Sequence, residues 1–266
     1  MIYLLQDKNE SDAMQIEIEE LKIVLDELSN TEKLYNHQYE TVKSTDFLSM
    51  SDDKKELYKK SAIPVGSIEF VQSFLSSVHD INKMNPIEIP KCLRLPHLLM
   101  RDYYICTYDQ LPKNGNYFIK DVSRLKSWAA IGKIEEFLAD DKLDNKDKIF
   151  QVSSVINIIS EYRVFVSGNN IYGIQFYDGD PTVMPNEIEI KKIKEMVLRW
   201  SCDKNCPGAY TMDVAVIRST NNTRELVLIE CHPFCAVGTY GCRGAFLPKM
   251  YQLGLSWYIK HNDKIT

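Results

Sequence analysis

Three prolines in close succession, Pro86, Pro90 and Pro96, constrain most strongly what this chain can fold into. Proline fixes its own φ, lacks an N–H and steers the residue before it away from the helix, so this stretch must run as an extended connector. The hydrophobic pattern also changes across it. We therefore expect a small α/β domain over residues 1–95 and a larger α+β unit over residues 96–266, itself split into a smaller part (about 100–157) and a larger part (about 158–266).

Before the connector, residues 1–6 read as a strand, and Met14, Ile18, Leu21, Leu25 and Leu28 recur at the spacing of one helical face. Residues 63–67 read as a buried strand ending in a turn, and Val71, Phe74, Leu75 and Val78 line a second helix. The polar stretch 34–60 has weak periodicity and is left unassigned. After the connector, residues 117–122 read as a strand, while Trp128, Ile131, Glu135 and Leu138 suggest one side of a helix. Residues 140–148 carry a charged run that reads as a solvated loop. Residues 149–159 and 162–166 are rich in strand formers, and Ser167-Gly168-Asn169-Asn170 turns the chain into another strand over 171–177. A helix carries Ile190, Ile193, Val197 and Trp200; residues 211–218 and 225–231 form a hairpin around Asn221-Asn222; a last helix carries Met250, Leu253 and Trp257.

Composition narrows the function classes. A net charge of -5 argues against general nucleic-acid binding, which needs a basic surface. The apolar run 2–5 is too short for a signal core, and no stretch approaches the roughly 18 apolar residues of a membrane span, so a cytoplasmic location is expected. Seven cysteines, an odd number, read as reduced thiols. The spacings Cys202/Cys206 and Cys231/Cys235 invite a zinc site, but Cys231 lies in an apolar strand and points away from the face of Glu230 and His232. Buried or incidental thiols are the preferred reading.

Charged residues inside apolar strands carry the chemistry. Lys120 follows Phe118-Ile119, Glu161 and Arg163 share one strand face, Asp213 sits between Met212 and Val214, and Glu230 follows Val227-Leu228-Ile229. Taken singly, each is ordinarily an edge residue with its head in water. As an ordered set on successive strands, two carboxylates and several cations would suit a metal–triphosphate complex, because oxygen donors favour Mg²⁺ and cations offset phosphate charge.

The segments Tyr117-Phe118-Ile119-Lys120, Ser160-Glu161-Tyr162-Arg163-Val164-Phe165-Val166, Thr211-Met212-Asp213-Val214 and Ile229-Glu230-Cys231-His232-Pro233-Phe234 resemble, in this order, the ATP-grasp superfamily. Within it they are most similar to the bacterial and bacteriophage clade named for two arginines and a lysine. Pro64-Val65-Gly66-Ser67-Ile68-Glu69-Phe70 and Val237-Gly238-Thr239-Tyr240-Gly241 share that resemblance, which spans about residues 60–245. It implies an ATP-grasp fold, two α+β subdomains gripping ATP, preceded by a small α/β domain.

The resemblance also implies roles. Lys120 would contact ATP phosphates, with Lys126 in the following loop, and the segment Gln151, Val152, Ser153 to Val155 would cup adenine. Glu161 falls among the nucleotide-binding positions, and Arg163 would face the γ-phosphate or an acyl-phosphate. Arg101 would be the other arginine. Asp213 and Glu230 would hold Mg²⁺. Asparagine usually stands where this chain has His232. Imidazole is a nitrogen donor suited to Mn²⁺ or other transition metals, so His232 either ligates such a metal, points past it to the substrate, or weakens the site.

The implied reaction is carboxylate activation by ATP and displacement of phosphate by an amine, the partners being a small-molecule or peptide carboxylate and that amine. No membrane partner is implied, and a virus-encoded protein would work in the host cytoplasm. Two rivals stand beside it: a degenerate ATP-grasp protein that binds a nucleotide or a host protein without catalysis, and an unrelated α/β interaction protein whose strand charges lie at the surface.

Overall fold

A computed structural model gives the architecture of residues 1–12, 14–31, 38–123, 125, 127–138, 148–219 and 221–262. The chain opens with β1 (Ile2–Gln6), α1 (Gln15–Thr31) and β2 (Gln38–Val42), then α2 (Ser44–Leu48), α3 (Asp52–Ser61), β3 (Ala62–Val65) and α4 (Ile68–His79). The three strands form a parallel sheet in the order β2-β1-β3, and the near-continuous burial of central β1 is what a parallel strand covered on both faces requires. α4 buries Phe70, Val71, Phe74, Leu75 and Val78, each contributing about 2 kcal/mol through removal from water. Ser67 starts that helix, its Oγ accepting from the Phe70 N–H at 3.3 Å, and Asp80 ends it in the left-handed region. The unassigned stretch 34–60 thus supplies β2, α2 and α3, with residues 34–37 outside those described.

Residues 81–90 are irregular, as the prolines demand, and lead into the short α5 (Pro96–Leu99). A four-stranded antiparallel sheet follows from β4 (Tyr103–Thr107), β5 (Asn116–Asp121), β6 (Ala129–Lys133) and β7 (Ile149–Ser154), in the order β4-β7-β5-β6. The helix expected over 128–138 is corrected here: its first half is strand β6, and only α6 (Ile134–Leu138) is helical. Residues 129–133 pair one for one with 120–116, and the Phe137 ring folds back over Gly132, where a Cβ would lie 2.9 Å from it. The apolar spacing therefore belonged to two elements, and Ile131 is in fact 63% exposed. The loop expected at 140–148 lies outside the described residues except for Lys148.

The second antiparallel sheet has the order β11-β10-β8-β9, built from β8 (Ile158–Ser167), β9 (Asn170–Gly179), β10 (Ala209–Arg218) and β11 (Arg224–Pro233). Between β9 and β10 runs α7 (Glu187–Ser201), and α8 (Leu247–Asn262) closes the chain. Asn186 caps α7 reciprocally with Glu189, whose carboxylate is also gripped by Arg224 at 2.9 and 2.8 Å. One face of this sheet (Tyr162, Val164, Met212, Val214) packs on Ile193, Met196, Val197 and Trp200 of α7. Cys231 is buried in that same core, away from the polar face. Phe165 and Phe234 on the opposite face join the core shared by α8 and the parallel sheet. Among the described residues no helix is long and apolar enough to cross a membrane.

Candidate active site

A bulge sets which side chains of β11 face the cleft. In β10 and β11, Asp213 stands opposite Glu230 and Val214 opposite Leu228, so Ile229 is an extra residue. One inserted residue shifts the alternation, which turns Val227 and Ile229 on one side of the bulge, and Glu230 and His232 on the other, toward the same face of the sheet. The Leu228 and Ile229 carbonyls at this irregularity accept from the Arg101 guanidinium at 2.6 and 3.1 Å. Burial pushes the Arg101 pKa down to about 10. Arg101 therefore lies within the expected site, but it donates to the backbone just before Glu230 and to the Leu99 carbonyl.

Two ion pairs meet in front of the bulge. Lys120, from the smaller sheet, donates to Glu230 Oε2 at 2.6 Å. Arg163 lies next to Asp213 in the register of β8 and β10 and grips it through Nε and one terminal nitrogen, both at 2.7 Å. That pair is almost fully closed to water, with the Asp213 side chain 1% exposed. The guanidinium also sits against the rings of Tyr177 and Tyr240, 5.1 and 5.0 Å from their centroids. Burial works against ionised Arg163, but its hydrogen bonds to Asp213 and the charge of that carboxylate together outweigh this and hold its pKa above the ordinary value.

His232 shares the face of Glu230, its Nε2 lying 3.2 Å from Glu230 Oε1 and 3.9 Å from Asp213 Oδ2. Burial disfavours the Glu230 carboxylate, yet His232 and Lys120 together bring its pKa well below the usual carboxylate range. Glu161 goes the other way. Burial, reinforced by Asp213, Glu230 and Asp178 and opposed by Arg163, raises it to about 7. Asp213, Glu230 and His232 can each offer one donor atom with all three atoms within 4.8 Å of one another. That spacing fits one divalent ion, with two oxygen donors suited to Mg²⁺ and a nitrogen suited to Mn²⁺.

Two cavities flank this cluster and share Lys120, Tyr177 and Glu230. The first, about 350 Å³, lies between the two antiparallel sheets, with Gln151, Ser153, Val155 and Glu161 in its walls. Val152 faces the other way, into the core of the smaller sheet, so only its backbone is available to the cleft. Lys126 lies outside the described residues. The second cavity, about 530 Å³, opens on the far side of Glu230 and is closed by Ser67, Ile68 and Glu17 from the first part of the chain, with His232, Gly238 and Tyr240. Sequence reasoning missed Glu17, Tyr177 and Tyr240 as wall residues. Glu17 accepts only from the Thr239 N–H, at 3.2 Å, among the described residues, so it faces this cavity without a cation partner.

Two antiparallel sheets closing on a cleft that holds a lysine, an arginine and opposed acids, behind a small parallel sheet, make this an ATP-grasp fold. The model for one ATP-grasp domain family, the second family of the clade named for two arginines and a lysine, matches residues 98–249. That is more than half of the chain, and the protein belongs to that family. Among solved structures, the chain is similar to D-alanine–D-alanine ligase from Bacillus anthracis complexed with ATP, with a TM-score of 0.53, 15% identity and coverage of 99% of this chain and 97% of that one. A second structure of that ligase gives a TM-score of 0.53 and 11% identity, covering 100% and 99%. The macrocyclase MdnC from Microcystis aeruginosa, bound with its precursor peptide MdnA, gives 0.49 and 11%, covering 97% and 99%. At such identities the likeness to the two ligase structures establishes the fold alone. Among curated proteins no match is found.

Proposed function

We propose that this protein is an ATP-dependent carboxylate–amine ligase that works through an acyl-phosphate. The observation that carries this reading is the position of Lys120, Glu230 and Tyr177 on the boundary between two cavities. A nucleotide between the sheets would point its phosphates at that boundary, and a carboxylate in the second cavity would meet them there. In this reading Gln151, Ser153 and Val155, which line the cavity between the sheets, would meet the base, and Glu161 would stand nearer the acids.

In this scheme a substrate carboxylate oxygen takes the γ-phosphoryl group, ADP departs, and an amine then attacks the carbonyl carbon. Phosphate leaves with the electrons of the broken C–O bond, and the amine sheds a proton. Lys120 and the Arg163 terminal nitrogen that does not serve Asp213 would offset the charge on the transferring oxygens, while the tyrosines and Asp213 hold the guanidinium in place. Asp213 and Glu230, with His232 beside them, would hold a divalent ion, which supplies Lewis-acid stabilisation of the β- and γ-phosphates when bound. No covalent enzyme nucleophile is needed.

One observation favours the non-catalytic alternative. Two of the three Arg163 nitrogens already serve Asp213, and the planar group is boxed by two rings, which leaves a narrow approach to a phosphate. ADP release measured with Mg²⁺ across amino acids, peptides and polyamines decides the matter. Release that requires both a carboxylate and an amine supports the ligase. Binding of Mg-ATP with no release from any pair supports the binder.

A further inference from the structure

The two acids that would hold the metal each already carry a cation from the chain itself: Lys120 on Glu230 at 2.6 Å and Arg163 on Asp213 at 2.7 Å. Each of these two pairs is formally neutral. From this we infer that Lys120 and Arg163 are resident counter-ions that make the site reject a free divalent ion and accept one only together with a polyphosphate. The inference rests on the ligase or binder reading of the cleft, and it concerns how ligands are selected rather than which reaction follows.

The physical reason lies in charge. A free divalent ion at Asp213, Glu230 and His232 would add two positive charges beside an ammonium and a guanidinium only one hydrogen bond from its ligands. In a partly desolvated cleft such repulsion is felt strongly. A triphosphate reverses the balance, because its oxygens give Lys120 a new partner and release Glu230 to the metal. The two cations are unequal in this exchange. Arg163 is locked by a bidentate bond and two tyrosine rings, whereas Lys120 makes one hydrogen bond among the described residues and stays 23% exposed at the cavity boundary. Lys120 is therefore the group that moves between Glu230 and phosphate. By linkage, whatever nucleotide does for metal affinity, metal does for nucleotide affinity.

The consequence has opposite signs for the two ligands. In Lys120→Met, Mn²⁺ alone should bind about tenfold more tightly than in the wild type, because a repelling charge is gone. A nonhydrolysable ATP analogue should bind about tenfold more weakly to the same variant. The charge-keeping Lys120→Arg should stay close to the wild type in its affinity for Mn²⁺ alone. Mn²⁺ binding is read from the loss of the free-ion electron paramagnetic resonance signal, analogue binding from calorimetry, and the fold of each variant from its thermal melt. If Lys120→Met, still folded, bound Mn²⁺ alone no better than the wild type, the counter-ion role would be overturned. An analogue that bound to neither protein would instead overturn the nucleotide reading of the cleft, while the arm with Mn²⁺ alone would still decide the role of Lys120.

Discussion

Replacing Glu161 by glutamine should make the protein more stable at alkaline pH and leave it unchanged in acid. Burial, with Asp213, Glu230 and Asp178 nearby, raises this carboxyl from its ordinary 4.5 to about 7. Such a displacement corresponds to about 3 kcal/mol of preference for the protonated form, and roughly half of that survives once solvent screening of a partly exposed side chain is allowed for. The sign follows from linkage. Between pH 4.5 and 7 the folded protein keeps a proton that the unfolded chain has released, so the stabilisation is fully present below about 4.5 and lost as pH rises through about 7. Glutamine matches the protonated group in shape and cannot ionise. Urea denaturation of both proteins across pH 4 to 9 should show Glu161→Gln more stable by about 1–2 kcal/mol above pH 8, the difference shrinking toward zero below pH 5. A difference that stays constant over this range would refute the raised pKa, and one that grows toward acid would reverse its sign.

Three further outcomes follow from the same geometry. Glu230→Gln keeps the shape of a proposed metal ligand and removes its charge, so the protein should fold while ADP release falls on the order of hundredfold or more; near-normal release with Mg²⁺ would remove Glu230 from the ligand set. His232→Asn replaces a nitrogen donor by an oxygen donor, so the ratio of Mn²⁺ to Mg²⁺ affinity, measured with a nonhydrolysable ATP analogue present, should fall several-fold; an unchanged ratio would place the imidazole outside the coordination sphere. Arg101→Lys cannot span the Leu228 and Ile229 carbonyls together, so stability should drop by about 1–3 kcal/mol in thermal or urea unfolding, and Mn²⁺ binding should weaken with it. If both held at wild-type values, the contact with the bulge would be incidental.

Much of the cleft was legible in the sequence because strand periodicity is strict. Charges at alternate positions of apolar strands, as at Glu161 and Arg163, have to share a face, and counting outward from Asn221-Asn222 brings Asp213 and Glu230 opposite each other, as the register has them. The bulge at Ile229 was not legible. An inserted residue leaves no mark on composition, yet it sets which side chains of β11 reach the cleft and gives Arg101 its carbonyl partners. Strand β2 was hidden for another reason: four of its five residues are exposed, so a parallel edge strand carries no alternation to read. Glu17 meets the Thr239 N–H across 222 residues of sequence, and no local pattern in α1 distinguishes it from its solvent-facing neighbour Glu19. The helix expected at 128–138 failed because so short an apolar spacing fits a strand followed by one helical turn as well as it fits one helix.

The two ion pairs of the cleft do different work, and their burial says which. Arg163 and Asp213 lie within one sheet, closed to water, and removing either partner would strand the other as a buried charge at a cost of about 3–5 kcal/mol. That pair is fixed for as long as the protein is folded. Lys120 and Glu230 join the smaller sheet to the larger, and among the described residues theirs is the ion pair that spans the cleft between them. Both side chains keep a quarter to a third of their exposure, so a ligand can reach this pair as it cannot reach the closed one. If a nucleotide enters as proposed, Lys120 and Glu230 form the pair that can exchange for it, beside the closed pair of Arg163 and Asp213.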